Sequence, residues 1–201
     1  DLSYFKASNM SYSLNEYEAL ALRAARGAGL SWGLAEEAGK AVKILSSLGL
    51  ESAQILLEAL EAPKSNSALL LGPQLCDAPD QLSKTTLSAP VHTPGFLVAF
   101  ISLTCAATDQ CIYCKWQDFE VYIKDQELFA VSLKGFNVTT VAPLWIELAK
   151  APKGKKQIAL DRAIISDHHY ENLTALAFKT YAPSTEASRI AGAGAGLNDN
   201  D

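Results

Sequence analysis

The sequence predicts an α+β protein: a three-helix N-terminal segment, then a mainly antiparallel sheet, with a C-terminal helix and a Gly-Ala-rich tail. Three observations carry that prediction. Leu34, Ala35, Ala38, Val42, Leu45 and Leu48 recur at helical spacing. Phe119, Val121 and Ile123 alternate with Glu120, Tyr122 and Lys124, the period of a half-buried strand. Between these two patterns, Pro63, Gly72, Pro73, Pro79 and Pro90 break the chain into short pieces.

Each element has a local reason. Ser13 and Glu16 form a capping box, in which the hydroxyl and the carboxylate each satisfy an orphan backbone N–H. Tyr17, Leu20, Ala21 and Ala24 then share one face, and Gly27 and Gly29 stop the helix. Ser31 caps the second helix and Gly49 ends it. A third carries Ile55, Leu56, Ala59 and Leu60 and closes at Pro63. Ala68–Leu71 reads as a short buried strand within loop. The β-rich heart is expected from Phe96 to Val141. Its opening run, Phe96–Ile101, is apolar without alternation, as in a strand covered on both faces. Asp125-Gln126 turns the period-two strand into Leu128–Leu133 as an antiparallel hairpin. Leu144–Ala149 fits helix or strand equally. Ile158–Leu160 and Ala163–Ile165 read as a buried strand, and Tyr170–Thr180 as the last helix.

For domain organisation, residues 1–9 read as the scar of a cleavable tag, with Met10 as the natural start. Residues 10–201 then form a single domain, helical over 10–62 and β-rich over 63–201. Hydrophobic residues make up 49% of the 201 and charged residues 19%, a globular balance that argues against wholesale disorder. The net charge of −5 counts against nucleic acid, whose binders carry a basic footprint. Two glycine-joined helices invite a helix-turn-helix reading. Residues 11–62, however, hold four basic groups against seven acidic ones, and phosphate contacts dominate DNA affinity. No apolar run is long enough to span a membrane. Four cysteines in this length are not a disulfide scaffold, so the expected compartment is reducing and cytoplasmic.

Four features could carry chemistry. Cys105, Cys111 and Cys114, with His92 or Cys76 as a further donor, have the residue types of a zinc site. That reading needs a turn at Gln110–Cys114, because residues three apart on a strand face opposite sides. The alternative is ordinary buried or edge cysteines. Asp167, His168 and His169 lie between a strand and a helix, where a histidine would act as general acid or base. Asp167 serves equally as a plain helix cap. Arg23, Arg26 and Arg189 can clamp a carboxylate, since the planar guanidinium bonds it bidentately. Finally, glycines in the tail would let its backbone approach a ligand or a second subunit closely. Lys150, Lys153, Lys155 and Lys156 read as a solvated loop.

Leu22–Gly39 and the closing segment Thr180–Asp201 resemble an uncharacterised bacterial family, a domain of unknown function. The resemblance implies an intact bacterial cytoplasmic protein and supplies no activity, cofactor or catalytic residue. Two functions are therefore expected from the residues. One is a non-catalytic small-molecule-binding or assembly protein, a homo-oligomer docked through its tail. The other is a small-molecule enzyme of hydrolase or lyase type, with a histidine acid/base and an arginine-bound acidic substrate meeting in one pocket.

Overall fold

The computed structural model describes residues 9–61, 65–77 and 84–180. Strand β1 (Asn9–Ser13) leads directly into helix α1 (Leu14–Gly27) through the capping box: Ser13 N–H donates to Glu16 at 2.7 Å and Glu16 N–H to Ser13 Oγ at 3.2 Å. Helix α2 (Trp32–Ser47) starts at the Ser31 cap, and α3 (Ala53–Glu61) buries Ile55, Leu56, Ala59 and Leu60 as its spacing predicts. Then follow α4 (Ala68–Asp77), β2 (Lys84–Leu87), β3 (Val91–His92) and α5 (Phe96–Thr108). The sheet strands are β4 (Cys111–Trp116), β5 (Phe119–Lys124), β6 (Glu127–Ser132), β7 (Thr140–Val141), β8 (Leu144–Ala149) and β9 (Lys155–Lys156). Strand β10 (Arg162–Ser166) runs into α6 (Asp167–Phe178).

Six strands form one antiparallel sheet in the order β2-β8-β4-β5-β6-β9, while β1 pairs with β10 and β3 with β7. The fold is α+β with mainly antiparallel sheets. Asp125 and Gln126, both at positive φ (52° and 59°), make the predicted hairpin turn without a glycine. Ile112, Cys114, Trp116, Phe119, Val121, Ile123 and Leu128 are buried in the core, and β4 and β5 pack against α5. Trp116 stacks on Phe119 at 4.1 Å and donates from Nε1 to the Gly135 carbonyl at 2.9 Å, so its one polar atom is satisfied in the core. Behind α5 lie α2 and α4, then α1 on α2 and α6 on α1, in a single apolar cluster.

The structure corrects several expectations. Phe96–Ile101 is the first half of α5, not a strand. A continuous apolar run fits either element, and this half of the helix is buried all round, with every residue from Phe96 to Ile101 at most 2% exposed. The β-rich part thus begins at Cys111. Ala68–Leu71 is helical too, in α4, which carries Pro73 inside it. Proline disfavours a helix interior, yet packing prevails here: Gly72 lies so close to α5 that a Cβ would sit 1.9 Å from the Phe100 ring. Leu144–Ala149 resolves as strand β8. Ile158 and Leu160 fall outside any strand and are 82% and 40% exposed, so only Ala163 and Ile165 of that prediction are buried. Strand β1, across from β10, had no reading from the sequence. Pro63, the proposed tag residues 1–8 and the tail beyond Thr180 lie outside the described residues.

Candidate functional site

Helices α1 and α6 pack closely because Gly27 has no side chain: a Cβ there would stand 1.8 Å from the Leu176 carbonyl oxygen. That contact brings the C-terminal ends of both helices together. Gly29, at φ 96°, turns the chain back so that α2 starts beside the same spot. The result is a cavity of about 410 Å³ lined by Leu22, Arg23, Arg26, Trp32, Lys179 and Thr180. Arg26 is held there by a hydrogen bond to the Leu30 carbonyl and by the Trp32 ring, whose centroid is 4.7 Å from the guanidinium carbon. Arg23 Nε donates to the Ala19 carbonyl at 3.2 Å. Thr180 Oγ1 donates to the Ala177 carbonyl at 2.7 Å, closing the last turn of α6.

The charges on this cavity have an ordinary use: cations near a helix C-terminus offset its dipole. Two helix ends amount to roughly one negative charge in total, while Arg23, Arg26 and Lys179 bring three positive ones. No carboxylate lines the cavity among the described residues.

At the opposite end of α6 lies a second cavity, of about 330 Å³, lined by Ser46, Gly49, Leu50, Glu51, Leu160, Ile164, Ser166 and His169. The α6 cap is Ser166, whose Oγ accepts from His169 N–H at 3.3 Å; Asp167 is not the cap but the first helical residue. His169 Nδ1 is shut from solvent 3.6 Å from Glu51 Oε1, which itself accepts from Ala53 N–H at 2.9 Å. His168 faces outward, its Nε2 3.2 Å from the Asn172 amide. The sequence placed both histidines in a loop; they occupy the first turn of the helix. The cavity with His169 contains no arginine, and the cavity with Arg23 and Arg26 contains no histidine. Among the described residues, therefore, no histidine and arginine of the enzyme reading share a cavity. Arg189 lies outside the described residues.

The proposed zinc ligands are likewise dispersed. Cys111 and Cys114 stand three apart on the extended β4, so their side chains leave opposite faces. Cys105 lies on α5 with its thiol donating to the Ile123 carbonyl at 3.3 Å, and His92 on β3 has Nδ1 3.3 Å from Thr140 Oγ1. Among the described residues no three His, Cys, Asp or Glu side chains are placed to hold a metal ion. Burial pushes the Cys105 thiol up to about 12 and raises those of Cys114, Cys111 and Cys76 as well, so all four are protonated at neutral pH.

Sequence reasoning singled out Arg23 and Arg26 but missed Trp32 and Lys179, which complete their cavity. Lys179 caps a helix whose end was known only approximately. Trp32 is 63% exposed at the start of α2, and a large apolar residue directly after a helix cap is the signal that marked it.

Residues 12–88 match the model of a family described as a protein of unknown function, DUF3726. No curated protein and no solved structure is significantly similar to the chain. The matched segment, less than half of the chain, includes Arg23, Arg26 and Trp32; Lys179 comes from beyond it. Among the described residues no helix is long and apolar enough to cross a membrane.

Proposed function

We propose that this chain is a non-catalytic protein of the bacterial cytoplasm that binds a small anionic molecule in the cavity between Arg23, Arg26 and Lys179. The observation that carries the reading is the convergence of three cations and one aromatic face on a cavity without a carboxylate lining. Guanidinium groups bond carboxylate and phosphate bidentately, and Arg26 is already oriented by Leu30 and Trp32, so less side-chain freedom is lost on binding. The cytoplasmic placement is supported by the low cysteine content, four in 201 residues, which is not that of a disulfide scaffold.

The test is calorimetric titration of the full chain with inorganic phosphate and with succinate at low and moderate salt. Binding is expected to weaken with salt, and Arg26→Gln together with Lys179→Gln is expected to reduce affinity at least tenfold, equivalent to about 1.4 kcal/mol. Equal affinity in the double variant would place the anion elsewhere and end the proposal.

A further inference from the structure

The basic cavity is one end of a longer groove. A second cavity of about 210 Å³, lined by Leu20, Arg23, Tyr170, Thr174, Ala177 and Phe178, shares Arg23 with it. A third, of about 330 Å³, shares Leu20, Arg23 and Tyr170 with the second and adds Tyr12 and Glu16. The groove therefore follows the seam between α1 and α6, and its character changes along the way. At one end it is cationic. Its middle is walled by Leu20, Ala177, Phe178 and the face of Tyr170. The far end is closed by the Tyr12–Tyr170 stack, 4.6 Å between centroids, with the Glu16 carboxylate beside it.

Resting on the reading above, we infer that the ligand is an amphipathic monoanion: an acidic head at Arg26 and Lys179, and an apolar body lying along the middle of the groove. Three observations meet in this assignment. Phe178, 64% exposed, lines the groove's middle, and together with Trp32 at the cationic end it gives the groove an aromatic lip. Thr174 contributes a hydroxyl that is buried without any hydrogen-bond partner, which an oxygen of a bound molecule would satisfy. The charge order fixes orientation, since Glu16 at the far end repels a second acidic group. Arg26 and Leu20 are six residues apart on α1, a span of about 9 Å, which suits a body of roughly seven or eight carbons.

The experiment titrates the full-length chain with butyrate, hexanoate and octanoate, with octanol and suberate as controls and inorganic phosphate as the bare anion. Affinity is expected to rise two- to fourfold per buried methylene from butyrate to octanoate. Octanoate should outbind both octanol and suberate. In Phe178→Ser, a surface change that spares the core, the chain-length dependence should flatten while phosphate binding stays as it was. Carboxylates that bind no better as they lengthen, beside normal phosphate binding, would overturn this inference and leave the anion site standing. Absence of phosphate binding as well would remove both. Octanol binding as tightly as octanoate would show that the head is not recognised and overturn the inference. Binding seen only after Glu186→Gln, Asp199→Asn and Asp201→Asn in the full chain would give the groove to the chain's own acidic C-terminal segment, which also overturns it.

Discussion

The two ends of α6 carry cavities of similar size and opposite chemistry. At its N-terminal end, where the helix dipole is positive, Asp167 stands in the first turn and the Glu51 carboxylate faces His169. Glu51 is further engaged in capping α3 through Ala53 N–H. At its C-terminal end the dipole is negative, and three cations line the cavity beside the two helix termini. Titratable groups in a cavity are thus a weak indication of function by themselves. The informative feature is the sign of the charge each cavity gathers, and the two ends of this helix differ in it.

The comparison is broken most severely through Gly27. Gly27→Ala drives a Cβ against the Leu176 carbonyl, so α1 and α6 must separate. Overpacking of this kind costs about 3 kcal/mol; a melting temperature lowered by roughly 6–12 °C is expected for a chain of this length, with loss of phosphate binding. A variant melting like the wild type would mean that the two helices are not in this contact. A milder change at the other end sharpens the contrast. Ser166→Ala removes the α6 cap at a cost of about 1 kcal/mol, visible as a lower urea midpoint, and should leave anion affinity intact because the cations sit at the opposite end of α6, more than three turns away. The smallest effect is expected from His169→Gln: affinity for phosphate or succinate within twofold of wild type, measured side by side with Arg26→Gln. A large loss there would transfer the function to the Glu51 cavity.

The distribution of legible and illegible elements has a physical basis. Helices α1 to α3 could be read from the sequence because each has one buried and one wet face, so periodicity, caps and glycine stops agree. The β5–β6 hairpin was legible for the same reason, with period two in place of 3.6. The first half of helix α5 was not, because a segment covered on every side shows no alternation, and its apolar run is equally that of a buried strand. Strand β1 escaped because its partner is contributed by residues 162–166, and no local pattern foretells a pairing across that distance. At the site, Arg23 and Arg26 were recognisable as a pair on one helix, whereas Lys179 and Thr180 join them only through the α1–α6 packing. The histidines were misplaced by a few residues at an element boundary, and that shift moved them from a loop onto a helix.

Strand β1 also has a kinetic meaning. Arg162 donates from Nε to Ser11 Oγ at 2.6 Å and from its terminal nitrogen to the Ser11 carbonyl at 2.8 Å, contacts that span 151 positions of chain. Closing a loop of that length costs about 4 kcal/mol in chain entropy, and it cannot happen during synthesis until β10 has left the ribosome. The first strand to be made is therefore among the last to find its place. Until then the apolar seam of α1 that α6 will cover is open, and a nascent chain at that stage is exposed to self-association that the finished fold prevents.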